Sequence, residues 1–288
     1  MRRKHLSSFI IKNPLIDLEL KLVEIDKLHI HEEIIPDSVN KLSKAIEKDT
    51  SVMHPVLVDK KTLVVLDGMH RVWSLKHLGY KLIPVCLLDY NNPNIIIKSW
   101  FRTIEHEKKT SSDLKTDLEK LGYKLQKTTD NVMQKKINEK KYIVGIVTSD
   151  KSYGIPGKTG STKETYEYIK KLEENLHSTG YTIGYETGDD AINKAKTGKV
   201  LAAITAPQIT KEDVVDVALA GEVFVHKSTR HVIPARPLFV NVPLKWLNMK
   251  ADDANKLLVE YLSKRKLKHL PAGQILDRRY EEELYVFE

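Results

Sequence analysis

Leu18, Leu20 and Leu22 alternate with charged residues and then meet Val23 and Ile25, a period of two that predicts a first strand with one buried face. After the loop from Asp26 to Pro36, Val39, Leu42 and Ile46 share one face of a helix running through Glu47, with Asp37 as its expected N-cap. Pro55 to Asp59 predicts a second strand; Lys60 and Lys61 turn the chain, and the apolar run Leu63 to Leu66 returns as its neighbour. Asp67 and Gly68 break that run before Val72, Leu75 and Leu78 recur at helical spacing. The stretch LVVLDGMHRVWSLKHLG therefore reads as strand, tight turn and helix, closed by Gly79. With one more strand at Ile83 to Leu88, the chain up to Tyr90 predicts a compact α+β unit.

Asn91 to Pro93 mark a turn, Ile95 to Trp100 follow, and the dense charges of Glu105 to Lys109 mark the expected passage into a second domain. The expected division is 1–100 and 101–288. Leu114, Leu118 and Leu121 predict a helix stopped by Gly122, and the Lys-rich segment Gln134 to Lys141 a solvated helix face or loop. Strands are expected at Tyr142 to Val147, Tyr181 to Tyr185 and Val200 to Ile204. Between them lie a helix from Ser161 to Leu176, with Tyr168, Leu172 and Leu176 on one side, and a short helix through Ala191 and Ala195. Thr210 opens a further helix with Asp213 as a capping-box partner and Gly221 as its end. Ala251 to Lys264 is the last helix, and Leu284 to Phe287 an edge strand. This alternation indicates an α/β or α+β second domain.

With 288 residues, 41% of them hydrophobic, the chain is long enough for two modest domains. Its 47 basic against 39 acidic residues, a formal charge of +8, suit an anionic ligand such as a nucleotide and equally suit nucleic acid. The many Lys, Glu and Ile residues lean towards a heat-adapted protein. Cys86, the only cysteine, lies in an apolar run, which excludes an intrachain disulfide and a cysteine-based zinc site and points to a buried structural thiol. The basic stretch Met1 to His5 leads into no uninterrupted apolar segment of signal-peptide length, and no run is long enough to span a bilayer. A soluble, cytoplasmic protein without membrane partners is expected.

The Asp67 turn is the strongest candidate for chemistry. The first amides of a helix have no internal acceptor and sit at the positive end of its dipole, so such a turn favours phosphate. His70 and Arg71 add side-chain donors, and Asp67 a carboxylate for a metal; the alternative is that Asp67 caps the helix and Arg71 faces water. Residues Ser152 to Thr159, SYGIPGKT, match the end of a P-loop, but Ser152 replaces the opening glycine and Pro156 removes a backbone donor. His29 and His31 alternate as in a zinc-binding strand without a third ligand, whereas a glutamate beside them can act as general base towards an alcohol if the fold brings it near Asp67. From Val225 to Pro243 a polar segment carries His226 to His231 and Arg236, broken by Pro234, Pro237 and Pro243. It reads either as a ligand-presenting loop or as a solvated one.

Taken together, HE at His31-Glu32, DGMHR at Asp67 to Arg71, IPVCLLDY, Trp100, the IPG at Ile155 to Gly157 and STRHVIP at Ser228 to Pro234 follow in an order that resembles the free L-serine kinases. Their N-terminal domain is of the ParB/sulfiredoxin-like type. The resemblance implies an α+β protein whose ParB/sulfiredoxin-like domain is followed by a second α/β domain, with the active site in the cleft between them. It implies phosphorylation of free L-serine to O-phosphoserine with ADP or ATP as donor and Mg2+ as the ion; cysteine synthesis is one use of that product. By position, Glu32 becomes the base, Asp67 the residue that positions substrate or metal, and Gly68, Met69, His70 and Arg71 the holders of the donor phosphates. Ser228, Thr229, Arg230 and His231 would hold the amino acid, Arg230 by its fork geometry, and Trp100 would close over it. SYGIPGKT becomes a structural turn. Where archaeal members commonly read DGHHR, Met69 stands in place of the first histidine and cannot donate to phosphate, which puts the choice between ADP and ATP in question. The expected partners are L-serine and an adenine nucleotide, with the chain a monomer or small homo-oligomer. The alternative is a ParB-like nucleotide-dependent DNA-binding or regulatory protein, disfavoured because no helix-turn-helix with a basic recognition helix is visible. Sulfiredoxin-like redox chemistry would need a cysteine at the turn.

Overall fold

The computed structural model describes residues 7–288, so the basic stretch Met1 to His5 lies outside the described residues. Two units emerge. One holds the chain up to Ile96, Val215–Val223 and His231–Glu288; the other holds Ile97–Val214 and Phe224–Arg230. The expected division lies at 100. The first crossing falls close to it, but the chain leaves the second unit again at His231. The segment after His231 is tied to the N-terminal part of this unit by pairing: Val242 pairs antiparallel with Val52, and the Leu82 amide donates to Leu247 O at 2.8 Å.

The first unit is built on a five-stranded sheet in the order Phe9–Ile11, Leu18–Glu24, Leu82–Leu88, Val56–Asp59, Val65–Asp67. Val56–Asp59 runs parallel to Leu82–Leu88 and the other pairings are antiparallel. Every residue of Leu82–Leu88 is buried, as a central strand's continuous apolar run requires, and Cys86 within it is fully enclosed, with burial pushing its thiol pKa up. Leu63 lies outside the returning strand because it adopts a left-handed φ of 59°, in a turn that Asp59 ties by accepting from the Thr62 amide at 2.9 Å. The first helix, Pro36–Asp49, starts one residue before the expected cap: Ile35 is the N-cap and Pro36 the first helical residue, where its missing N–H costs nothing. Glu283–Phe287 is no edge strand. It lies between Ala235–Leu238, parallel, and Leu267–Leu270, antiparallel.

The second unit has a six-stranded sheet in the order Thr182–Glu186, Phe101–Glu105, Ala202–Thr205, Tyr142–Val147, Ser152–Pro156, Gln126–Thr128. Helices separate these strands along the chain except between Tyr142–Val147 and Ser152–Pro156, and all the registered pairings are antiparallel. The helix expected from Ser161 runs Thr162–Ser178 with Ser161 as its cap, and it buries Tyr166 where Tyr168 was expected. SYGIP proves to be a strand, and the next helix begins only at Thr162, so neither a P-loop nor a turn describes it. Its glycine has a packing cause: a Cβ on Gly154 would sit 2.0 Å from the Tyr142 ring.

Asn255 shows how side chains complete the first sheet. Phe9–Ile11 pairs with the neighbouring strand only as far as Leu20, and beyond that point Asn255 takes the missing neighbour's place. It accepts from the Leu22 amide at 2.7 Å and donates to the Leu22 carbonyl at 2.9 Å. Asn255 is 3% exposed, so Asn255→Ala would leave two buried backbone groups unpaired and should lower unfolding stability by about 1–3 kcal/mol. Chemical denaturation would measure this; an unchanged midpoint would refute the role.

Candidate functional site

The Asp67 turn has the expected form. Strand Val65–Asp67 passes through Gly68 at φ 102° into helix Met69–His77, with Gly68 as N-cap and no side chain capping the first amides. Gly68 is required twice over, by its φ and because a Cβ there would lie 3.0 Å from the Arg71 Cζ. Arg71 folds back over it and donates through Nη1 to the carbonyls of His54 at 2.8 Å and Pro55 at 2.5 Å. Among the described residues its Nε and Nη2 have no hydrogen-bond partner. The guanidinium is thus braced by the main chain with donors left over, rather than solvated. His70 receives the Ile35 amide on Nε2 at 3.1 Å, so in its neutral form the proton sits on Nδ1.

Asp67 does not cap the helix. Its Oδ2 accepts from Arg236 Nη1 at 2.6 Å, and Arg236 also pairs with Glu282. Burial would raise the Asp67 carboxyl, but the guanidinium groups of Arg236 and Arg71 outweigh it and hold its pKa at about 2. Beside it, His54 is pushed down to about 4, first by burial and then by Arg71. Among the described residues no group of three or more His, Cys, Asp or Glu side chains is gathered as for a metal. The Asp67 carboxylate fits magnesium as one protein ligand, with nucleotide phosphates and water for the rest.

Glu32 comes alongside this turn through backbone pairing. The His29 amide donates to Leu63 O at 3.1 Å, the Val65 amide to His29 O at 2.8 Å, and His29 bridges Val64 in parallel. His31 extends the match, its Nδ1 donating to Val65 O at 2.8 Å, and the Ile35 amide then meets His70. The segment 29–35 therefore runs beside the strand that ends in Asp67, with Glu32 7% exposed upon it. Burial drops the His31 pKa to about 4, which keeps the ring neutral. Its ring meets His231 edge-on at 5.3 Å, and the Tyr90 hydroxyl lies 2.8 Å from His231 Nε2.

The second unit holds Trp100, Ser228, Thr229 and Arg230. Trp100 is flanked by Lys227, whose Nζ lies 4.8 Å from the ring centroid, and Arg230, whose Cζ lies 5.7 Å away. Ser228 is fully buried and its hydroxyl donates to Val225 O at 2.7 Å, a bond within the loop. Thr229 is 7% exposed.

Sequence reasoning missed Arg102, the residue that holds this loop. Its side chain is 2% exposed, pairs with Glu173, and donates through Nη1 to the carbonyls of Trp100 and Lys227, each at 3.0 Å. Tyr185 completes the set by donating to Glu173 at 3.1 Å. An arginine within a strand of otherwise ordinary pattern gives no signal of this. Arg236 was visible only as one charge in a polar loop, Tyr90 only as the end of the IPVCLLDY motif, and Glu282 gave no hint.

Two outcomes follow from these ion pairs. Arg102→Ala removes the cation from Glu173 and the donors from the carbonyls of Trp100, Lys227 and His226, and should cost about 3–5 kcal/mol in chemical denaturation; a loss within the ordinary surface range would refute the anchor. Asp67 has its pKa lowered from 3.8 to about 2, so its pairing supports the fold fully above the unfolded pKa and loses that support as pH falls through the folded one. Melting curves from about pH 4 to about pH 2 should fall less steeply for Asp67→Asn than for the unaltered chain. Parallel curves would show that the pair contributes nothing.

No family model matches the chain. It is 30% identical over 239 residues to the ATP-dependent L-serine kinase of Staphylothermus marinus, a match covering 80% of this chain and 92% of that protein. It is 24% identical over 238 residues to the ADP-dependent L-serine kinase SerK of Thermococcus kodakarensis, covering 81% and 95% respectively. The solved structure of a free serine kinase in complex with AMP shares the fold, with a TM-score of 0.63 at 23% identity over 83% of this chain and 96% of that one. The braced strand–turn–helix, the segment carrying Glu32 alongside it and the first of these likenesses agree: this chain belongs to the L-serine kinase family.

Proposed function

We propose that this protein transfers a phosphoryl group from ATP or ADP to the hydroxyl of free L-serine, giving O-phospho-L-serine. The observation that carries the reading is the parallel bridge of His29 with Val64, extended by the His31 side chain on Val65 O, which brings the segment carrying Glu32 beside the strand that ends in Asp67. In this reading the uncapped amides of helix Met69–His77 and the remaining donors of Arg71 take the phosphates. Glu32 accepts the proton of the serine hydroxyl as its oxygen attacks the terminal phosphorus. The bond from that phosphorus to the bridging oxygen breaks, and the nucleotide leaves one phosphate shorter. Positioning and charge stabilisation supply most of the acceleration in such transfers, and the base mainly orients the hydroxyl.

Asp67 is the residue that would hold Mg2+, with Arg236 fixing the carboxylate. Magnesium, when bound, supplies neutralisation of the negative charge on the transferring group. Arg230 is suited to the serine carboxylate and Trp100 to covering the amino acid, with Thr229 contributing polar contacts; His231, held by Tyr90, is the fourth.

Purified protein incubated with L-serine, Mg2+ and either nucleotide should yield phosphoserine, and Glu32→Gln should lower kcat by about 100-fold or more while nucleotide binding persists. Absence of phosphoserine with both donors would defeat the function. Full turnover by Glu32→Gln would defeat the assigned base.

A further inference from the structure

Arg71 and Arg236 are not the only guanidinium groups near Asp67. Arg278, on the loop between strands Leu267–Leu270 and Glu283–Phe287, is joined to the turn by a continuous line of charged contacts. Asp67 pairs with Arg236, Arg236 with Glu282, and Glu282 Oε1 lies 3.4 Å from Arg278 Nη2. The loop is tightly tied. The Leu276 amide donates to Arg278 O at 3.0 Å, the Tyr280 amide to Gln274 O at 2.8 Å, and the Gly273 amide to Tyr280 O at 2.9 Å. Arg278 Cζ lies 4.0 Å from the ring centroid of Tyr280, a ring 2% exposed whose hydroxyl donates to Asp277 at 2.9 Å. The guanidinium is therefore oriented by a fixed aromatic platform.

We propose that Arg278 is a polyphosphate contact supplied by the C-terminal segment, taking the phosphate by which a nucleoside triphosphate exceeds a diphosphate and so favouring ATP over ADP. This inference rests on the kinase reading above. Of the three guanidinium groups, Arg236 is 13% exposed and committed to two carboxylates, and Arg71 is braced by two carbonyls, whereas the Arg278 side chain is 50% exposed. Its long, exposed contact with Glu282 is weak, so exchanging it for a phosphate costs little. The charge of Arg278 also acts on Asp67, Arg71 and His54, which places it within electrostatic reach of the turn. Arg236 is already neutralised by Asp67 and Glu282, whereas the half-exposed Arg278 side chain keeps its charge available to a third phosphate beyond the helix N-terminus.

The test is nucleotide binding by calorimetry in the absence of serine, using the full chain and its Arg278→Gln, Arg278→Lys and Arg279→Gln variants. Arg278→Gln should weaken ATP about tenfold and ADP by less than about threefold. Arg278→Lys should recover part of the loss, since it restores the charge without the fork. Arg279→Gln, a change of equal charge on the same loop, should alter neither. Unchanged ATP affinity in Arg278→Gln, or equal weakening of both nucleotides, overturns this contact alone. An unaltered chain that binds neither nucleotide overturns the kinase reading and the contact together.

Discussion

The first unit's candidate site hangs on one ion pair, Asp67 with Arg236. A carboxylate at the end of a strand, one residue before a helix N-terminus, would be free to swing across the amides and cap them, as aspartate does at many helix starts. Arg236 prevents this by donating to the carboxylate, and Glu282 in turn steadies Arg236. The helix start is left uncapped and the turn keeps its positive end. The same pair explains why the last strands of the chain belong to the first unit, since Ala235–Leu238 carries the arginine and Leu238, Tyr280 and Leu284 bury the segment that carries Glu282.

A buried guanidinium does comparable work in the second unit. Arg102 replaces what would otherwise be several unpaired carbonyls in the loop from His226 to Arg230, and its own charge is met by Glu173. Buried ion pairs of this kind contribute little net stability compared with apolar packing, but a loop held by a planar fork has few alternative shapes. The loop conformation, including Lys227 at φ 59°, follows from that constraint.

Met69 marks where this chain leaves the common family pattern. As the first helical residue it lends a backbone amide to the turn whatever its side chain is, so the anion-attracting part of the motif survives the change. What is lost is one imidazole donor, while Arg71 and Arg236 still supply positive charge beside Asp67.

The strand–turn–helix at Asp67, the capping box at Thr210, the enclosed cysteine and most element positions were legible because they depend on local periodicity, glycine and capping chemistry, which a short window of sequence contains. The pairing of HE with DGMHR was also legible, through resemblance. Other features depend on contacts between residues far apart in the chain. The partner of Asp67 lies 169 positions away, that of Arg102 lies 71 away, and Asn255 mends a strand edge 233 positions before it. Likewise Ser228 carries the residue type of a ligand contact and donates its hydroxyl to Val225, and the return of the C-terminal segment is a matter of pairing such as that of Val242 with Val52. The chain by itself therefore determined its elements and the chemistry they could bear, because those follow from neighbours along the backbone. Only the tertiary structure decided which charges meet, because a guanidinium finds its carboxylate through space.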